Sequence, residues 1–209
     1  MPLNNETDYC YVRFLNAIPN SPAVDIYMNG ILMSENVEYS GYTNFMTLKS
    51  DTYLFEAIPS NNSNNTAILS IKVYLFKNSY YTIAIIGHTS SPDLELIADR
   101  PHTESAKYGL SYIRFVNLSP NSESCNIEID FVPLFYHLYF MEVSNYLPIT
   151  LKNPTITADV DGQTYTLSGI SFEMEKYYTV YILGFSKNLT PGISLVTLME
   201  GRGNFTFQT

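Results

Sequence analysis

The sequence of 209 residues lacks tryptophan, contains only two cysteines and has no apolar run of the length that a membrane-spanning helix requires. We therefore predict no membrane span. The two cysteines, Cys10 and Cys125, are too few for a zinc site of about four ligands, and the three histidines follow no metal-binding spacing. The cysteines leave open one disulfide between the two halves of the chain, although two free thiols are favoured.

Basic residues are also scarce. The 11 lysines and arginines are outnumbered by 20 aspartates and glutamates, which gives a net charge of −9. This charge repels phosphate backbones and anionic lipid headgroups, so a nucleic acid partner is not expected. The sequence also lacks a Gly-x-Ser-x-Gly motif, a glycine-rich phosphate loop and a dinucleotide fingerprint. We therefore predict a protein that is not an enzyme and that uses no cofactor.

Residues that favour β-strands are abundant. The chain has 18 tyrosines and 12 phenylalanines, and such side chains suit the pleated, half-buried surface of a sheet. Short β-prone segments alternate with turn signals, of which Asn29-Gly30 is typical of a two-residue hairpin with positive φ at both residues. Because no helical pattern of useful length separates these segments, the sequence predicts an all-β protein built as a sandwich.

The chain contains an internal repeat. The segment Tyr11–Tyr27 recurs as Tyr112–Glu128, displaced by 101 positions without a gap, and eight of the seventeen aligned pairs are identical. The segment Tyr80–Gly87 recurs as Tyr177–Gly184. We therefore predict a first β-sandwich at residues 1–100, a polar linker at 101–111, a second β-sandwich at 112–200 and a C-terminal tail at 201–209.

These landmarks carry a family resemblance. The stretch Val12–Gly30, followed by Tyr80–Gly87, resembles the bacterial family called domain of unknown function 4397. The resemblance extends over nearly the whole chain as two tandem copies, of which the second departs further from the family pattern. It implies two compact β-sandwiches of the immunoglobulin-like or prealbumin-like kind, often found in tandem in extracellular or envelope proteins. It implies no catalytic residue.

Two pairs of polar residues stand at equivalent positions of the two copies. Arg13 and Arg114 lie in the middle of a predicted strand, where a guanidinium group requires a fixed acceptor. Asn16 and Asn117 precede the Pro-Asn-Ser loops and are expected to satisfy backbone groups there. A ligand-binding arginine is one reading of this pattern. We favour a structural clamp in which the four residues hold each loop to its sheet.

The second copy departs from the first in an apolar and aromatic run. Residues 131–141 replace a polar hairpin, and the run is too short to span a bilayer and too continuous for a strand with one wet face. We expect the run to be covered, either by the first repeat or another copy, or by a different partner. The candidate interface residues are Phe131, Val132, Leu134, Phe135, Tyr136, Leu138, Tyr139, Phe140 and Met141.

The expected function is a non-catalytic structural or binding role, in which the β-domains act by contact at a bacterial cell envelope or spore surface. The partner would be the protein itself or another surface protein. The alternative is a small-ligand or carbohydrate-binding module whose tyrosines stack on sugar rings. Residues 1–8 show neither the basic nor the apolar region of a secretory signal, so the sequence leaves the location between a surface and the cytoplasm.

Overall fold

The computed structural model of the chain describes residues 8–61, 64, 66–99, 106–187 and 189–200. The regular structure within these residues is β-strand, as the composition predicted. Four sheets of four strands form two halves that are built alike, so the fold is two β-sandwich domains in tandem. No helix in the described part of the chain has the length and apolar character needed to cross a membrane.

The first repeat has eight strands. They are β1 (Tyr9–Asn16), β2 (Val24–Met28), β3 (Ile31–Val37), β4 (Met46–Lys49), β5 (Thr52–Pro59), β6 (Leu69–Tyr74), β7 (Tyr80–His88) and β8 (Ser91–Asp99). The first inner sheet has the order β4-β1-β7-β8, and the first outer sheet has the order β3-β2-β5-β6. Strands β1 and β7 run parallel, and the other neighbouring strands of this repeat run antiparallel.

The second repeat has the same plan. Its strands are β9 (Ser111–Asn117), β10 (Cys125–Ile129), β11 (Val132–Leu138), β12 (Leu147–Ile149), β13 (Ile156–Val160), β14 (Gln163–Leu167), β15 (Tyr177–Leu183) and β16 (Ser194–Glu200). The second inner sheet has the order β12-β9-β15-β16, and the second outer sheet has the order β11-β10-β13-β14. The register also repeats, since Tyr11 lies opposite Tyr80 as Tyr112 lies opposite Tyr177.

Each repeat has its own core between its inner and outer sheets. Phe14 and Phe55 lie in the first core, and Phe115 and Ile127 lie in the second. Cys10 is buried in the first core and Cys125 in the second, and both thiols are free. Burial raises the pKa of Cys10 to about 11 and that of Cys125 to about 12, so both side chains behave as small apolar groups.

A third core lies between the two inner sheets. In β1 the side chains of Val12 and Phe14 face the first core, whereas Leu15 and the following Ala17 face the other repeat. This two-residue alternation buries both faces of the central strands. The inter-repeat core consists of Leu15, Ala17, Ala84, Ile86, Ile97, Val116, Leu118, Tyr181, Leu183 and Leu198. The two sandwiches are therefore joined through their inner sheets.

The predicted domain boundaries can be compared with this fold only in part. Residues 101–105 of the predicted linker and the whole predicted tail at 201–209 lie outside the described residues. Ser111, the last residue of the predicted linker, opens β9 and lies opposite Ile149.

Candidate functional site: an inter-repeat charge cluster and an aromatic strip

Arg13 and Arg114 face each other's repeat from equivalent positions in β1 and β9, and they are 3% and 4% exposed. The parallel pairing places Thr82 beside Arg13 and Thr179 beside Arg114. The Nε of Arg13 donates to Thr82 Oγ1 over 2.7 Å, and the Nε of Arg114 donates to Thr179 Oγ1 over 2.9 Å. Each repeat therefore fixes the stem of its own arginine in the same way.

Each guanidinium group also lies over an aromatic ring of its own repeat. The Cζ of Arg13 is 4.7 Å from the centroid of Phe45, and that of Arg114 is 4.8 Å from the centroid of Tyr146. Cation–π attraction of this kind is stronger when the cation is desolvated. The ring and the threonine together leave the end of each guanidinium group directed at the opposite repeat.

The ends of the two arginines bind backbone carbonyl groups across the interface. Arg114 Nη1 donates to the oxygen of Ala98 over 2.8 Å, and Arg13 Nη1 donates to the oxygen of Met199 over 3.4 Å. Ala98 and Met199 occupy equivalent positions, because they pair with Tyr81 in β7 and Tyr178 in β15. The contacts therefore follow an approximate twofold relation between the repeats.

Two carboxylates balance the two arginines. Arg114 Nη2 pairs with Asp99 of the first repeat and lies 2.8 Å from Glu200 Oε1 of its own repeat. Arg13 Nη2 lies 3.5 Å from Asp99 Oδ2. We name Arg13, Asp99, Arg114 and Glu200 the charge cluster. Asp99 is 7% exposed and Glu200 is 4% exposed, so all four charged groups are removed from water.

The two threonines, Tyr146 and Tyr181 complete the hydrogen bonds of the charge cluster, and the hydroxyl of Tyr146 donates to Glu200. Thr82 donates its hydroxyl to Asp99 Oδ2 over 2.6 Å, and Thr179 donates its hydroxyl to Glu200. The hydroxyl of Tyr181, from the second repeat, donates to Thr82 Oγ1 over 3.2 Å. Buried charges are tolerated when their donors and acceptors are matched in this way.

The charges of the cluster shift one another's pKa values. Burial and the charge of Glu200 raise the pKa of Asp99 to about 6, against the pull of both arginines. Burial acts on Glu200 as well, but the charges of Arg114 and Arg13 outweigh it and hold its pKa below the ordinary value. Burial and Asp99 raise the pKa of Tyr181 to about 12. The cluster therefore pairs two cations with two carboxylates at neutral pH.

The clamp expected at the Pro-Asn-Ser loops can be set beside the contacts that the described residues make. The described contacts of the guanidinium groups of Arg13 and Arg114 run to the neighbouring strand, to an aromatic ring and to the opposite repeat. Both arginines lie on the face of their strand that is turned away from the core of their own repeat. That face is covered by a second sheet, so the acceptors come from there.

The asparagines do contact the loops. Asn16 Nδ2 donates to Ser21 Oγ over 2.9 Å and to the oxygen of Val37 over 3.0 Å, and its Oδ1 accepts from the backbone NH of Ile18 over 3.3 Å. Asn117 makes the equivalent bonds to Ser122, Leu138 and Ser119, each over 3.0 Å. One buried side chain thereby ties the loop to the hairpin that follows it.

The apolar run of the second repeat lies mainly along β11, an edge strand of the second outer sheet. Three of the predicted interface residues, Leu134, Phe135 and Leu138, pack against the second core, and Phe140 packs against the inter-repeat core. The remaining five side chains are exposed, and we name them the aromatic strip. They are Phe131 (87% exposed), Val132 (59%), Tyr136 (67%), Tyr139 (53%) and Met141 (38%). Most of the run therefore faces either its own core or solvent, not the first repeat.

The backbone beneath the strip copies the first repeat closely. Val132 pairs with Ile129 as Ile31 pairs with Met28, and both hairpins contain register shifts at the same places. The left-handed positions also coincide. In the first repeat they are Asn29 (φ of 51°), Gly30 (75°), Asn36 (53°) and Ser40 (61°). The equivalent residues of the second repeat are Asp130 (47°), Phe131 (65°), His137 (56°) and Met141 (68°).

Three of these substitutions place a large side chain where the backbone favours glycine or asparagine. A bulky residue with positive φ is strained. Phe131 stands where the first repeat has Gly30, and Met141 stands where it has Ser40. His137 replaces Asn36, and its ring stacks with Tyr139 at a centroid distance of 6.4 Å. The second repeat has therefore kept the turn geometry and changed the side chains that the turns present.

No group of three or more histidine, cysteine, aspartate or glutamate residues within the described ranges is arranged to hold a metal ion. One carboxylate at a strand end has a local role instead. Asp25 Oδ1 accepts from the backbone NH of Asn36 over 2.8 Å and from Ser60 Oγ over 2.6 Å. In the second repeat Asn126 Oδ1 accepts from the backbone NH of His137 over 3.0 Å. These side chains stabilise the bulge of the edge hairpin.

Comparison with known proteins bears on the repeated fold. The family described as "Domain of unknown function (DUF4397)" matches the chain twice, over residues 10–122 and 111–200. The chain belongs to this family. It carries the domain as a tandem pair, as the resemblance in the sequence predicted.

Other comparisons add little. No curated protein matches the chain. Among solved structures, a Bacteroides fragilis protein described as a "putative cell adhesion protein" is 12% identical and aligns with 84% of this chain and 70% of its own. The TM-score is 0.21, which is too low for the two structures to be compared in detail.

Several residues of the charge cluster are not apparent from the sequence. Asp99 and Glu200 end β8 and β16 at equivalent positions, opposite Tyr80 and Tyr177. The two positions are hard to align in the sequence because the connection between β15 and β16 is longer than the one between β7 and β8. Tyr80 and Tyr177 are 97 residues apart, whereas Asp99 and Glu200 are 101 residues apart. The available signal is the apolar run of residues 83–86 in β7, which indicates a strand covered on both faces.

Proposed function

We propose that this tandem domain is a non-catalytic structural or binding protein that acts by surface contact. The observation that carries the proposal is the aromatic strip, because it stands on a backbone that is otherwise a copy of the polar edge of the first repeat. An exposed aromatic side chain on a strained turn, as at Phe131, lowers stability without benefiting the isolated chain. Contact with another surface would bury the aromatic side chain and offset this loss of stability.

The charge cluster supports the non-catalytic part of the proposal. Its four charged groups are at most 7% exposed, and their described partners are one another, two threonines, the hydroxyl groups of two tyrosines, two aromatic rings and two backbone carbonyl groups. A dissolved substrate does not reach side chains in that position. The cluster serves to hold two sandwiches in one orientation.

A bacterial cell envelope or spore surface is the location we propose. Domains that resemble this family often occur in tandem in extracellular or envelope proteins. A protein of this kind can also reach a spore surface by deposition from the mother cell. Rigid β-modules with aromatic contact surfaces suit such layers, where a protein is held by many neighbours.

Fractionation tests this proposal. Vegetative cells, sporulating cells and purified spores would be separated into envelope, coat and soluble fractions, and the protein would be detected with an antibody. We expect it in an envelope or coat fraction, and we expect release to increase when Phe131→Gly, Tyr136→Glu and Tyr139→Glu restore the first-repeat residues. Recovery only in the soluble cytosol would contradict the proposal.

A carbohydrate-binding role is the second candidate, and a specific observation favours it. Tyr136 is exposed on β11 and Tyr139 is exposed just beyond its end, where its ring stacks with that of His137. Aromatic faces with polar tips bind the apolar faces of sugar rings. A glycan array would show binding by the intact chain and its loss in Tyr136→Ser. Absence of binding to neutral glycans would remove this candidate.

A further inference from the structure

We propose that the partner of the aromatic strip is the strip of a second copy of this chain, related by a twofold axis. This inference rests on the proposed contact function and names its partner. In a twofold contact the same patch is used on both subunits, so the patch must be complementary to itself. The charge, size and edge geometry of the strip meet that requirement.

The segment that carries the aromatic strip has no formally charged residue. From Phe131 to Met141 the chain has no aspartate, glutamate, lysine or arginine, although the whole chain carries a net charge of −9. The corresponding segment of the first repeat includes Glu35 and Glu38. Two acidic molecules repel each other unless they meet across an uncharged surface, since like charges at an interface are costly. The strip provides such a surface, whereas the matching edge of the first repeat does not.

The size of the strip sets the expected strength. If an aromatic side chain presents about 200 Å², the five exposed side chains offer roughly 600 Å² per copy. Two copies would then bury roughly 1,200 Å² in total, which is the lower limit of a specific protein interface. We therefore expect a weak and reversible dimer. Its dissociation constant should be in the micromolar to millimolar range, about 1 µM to 1 mM.

Edge geometry determines how the copies meet. Ile129 and Val132 flank the two-residue turn and exchange the ladder hydrogen bonds, so the nitrogen of Pro133 faces the free edge of β11. A proline there has no hydrogen to donate, which blocks the addition of another strand at that point. The copies therefore meet through side chains and not by extension of the sheet. A closed pair results, and no growing fibre.

The strained turns support the same conclusion. Phe131 is 87% exposed at φ of 65°, and Met141 is 38% exposed at φ of 68°. Gly30, which occupies the position equivalent to Phe131, shows that the fold accepts glycine there. The aromatic residue is therefore not required for folding. Burial of its ring against a second copy offsets the strain.

Analytical ultracentrifugation of the full chain tests the inference. Sedimentation would be measured from about 1 µM to about 1 mM, the range in which the dimer should form. The test variant combines Phe131→Gly, Tyr136→Glu and Tyr139→Glu. The matched control combines Tyr74→Ser and Phe76→Ser, which removes a pair of aromatic side chains that are 50% and 61% exposed on the first repeat. We expect dimerisation of the natural chain and the control, and at least a tenfold weaker dimer for the test variant.

Salt provides a second readout. Because the strip is uncharged and the rest of the chain is acidic, raising the salt concentration screens repulsion and should tighten the dimer. A dimer held by ion pairs would weaken instead. If the triple variant fails to fold by circular dichroism, Tyr136→Ser alone replaces it, with the same direction expected.

Three outcomes overturn the inference. They are a monomeric natural chain throughout the range, a triple variant that dimerises as well as the natural chain, and a dimer that weakens in salt. A monomer whose attachment to cells or glycans still depends on the strip would overturn the twofold contact alone. Attachment that does not depend on the strip would overturn the proposed contact function as well.

Discussion

The two repeats agree where they face each other and differ where they face solvent. On the inner sheets Arg13 and Thr82 match Arg114 and Thr179, with the same arginine–threonine hydrogen bond and an aromatic ring below each guanidinium group. On the edge hairpins the backbone is the same, but Gly30 has become Phe131. The difference shows that the contact between the repeats requires particular side chains. The outer edge hairpin requires only a particular backbone conformation.

The two repeats place equivalent residues in the contact between them, but the hydrogen bonds of Arg114 are shorter than those of Arg13. Arg114 has a hydrogen bond of 2.8 Å to each of Ala98 and Glu200 and also pairs with Asp99. Arg13 approaches Asp99 to 3.5 Å and Met199 to 3.4 Å. Tyr181 fills the inter-repeat core where the first repeat has Ala84. The twofold relation is therefore approximate, and the second repeat provides more of the contact.

The largest effect is expected from Arg114→Met. This change leaves Asp99 and Glu200 buried with one cation fewer, and removal of one member of a buried ion pair costs about 3–5 kcal/mol. Urea unfolding of the variant should show a loss of that size in the free energy of unfolding. Arg13→Met is the matched control and should cost about half as much because its contacts are longer. A loss below about 1 kcal/mol for Arg114→Met would break the comparison.

A moderate and equal effect is expected from Asn16→Ala and Asn117→Ala. Each change removes a buried amide and leaves the loop donors and acceptors that it served without a partner, which costs about 2 kcal/mol. The two variants should agree to within about 0.5 kcal/mol because their bonds are equivalent. Unequal losses in urea unfolding would show that the loops are not held in the same way.

Much of the fold could be predicted from the sequence because its signals are local. The Asn29-Gly30 hairpin was predicted from two residues, and both have positive φ in the structure. The repeated strands followed from the match of Tyr11–Tyr27 with Tyr112–Glu128 and of Tyr80–Gly87 with Tyr177–Gly184. Local patterns of this kind do not state what covers the outer face of a strand.

The charge cluster could not be predicted for that reason. Arg13 was recognised as needing an acceptor, but its acceptors come from β7, β8 and β16, far away in the chain. For residues 131–141 the sequence predicts a continuous apolar run that another surface covers. Leu134, Phe135 and Leu138 pack on the core of their own repeat, so a third of the candidate interface residues are covered locally.

A smaller effect of opposite sign is expected from Phe131→Gly. Relief of a positive φ at a bulky residue should raise the free energy of unfolding by about 1 kcal/mol. Gly30→Phe is the mirror-image control and should lower it by a similar amount, since a Cβ at Gly30 meets no atom within 4 Å and strain is the main cost. Thermal unfolding of dilute samples checks both. No gain from Phe131→Gly would mean that the turn is unstrained.

The smallest effect concerns pH. The pKa of Asp99 is raised to about 6 in the folded chain, against about 4 for an unfolded aspartate. The folded chain therefore binds more protons between these values, and the contribution of Asp99 to stability falls as pH rises through about 6. We expect about 1 kcal/mol more stability from this group at pH 5 than at pH 7. Glu200, whose pKa is lowered, loses its contribution only at more acidic pH. Asp99→Asn should remove this slope, and an unchanged slope would contradict the assignment.

Calorimetry of the intact chain tests most directly whether the buried contact makes one unit of the two repeats. If the charge cluster and the inter-repeat core bind the sandwiches together, heating should give a single transition whose calorimetric and van't Hoff enthalpies agree. Arg114→Met should separate this transition into two. Two resolved transitions in the natural chain, unchanged by Arg114→Met, would contradict the account.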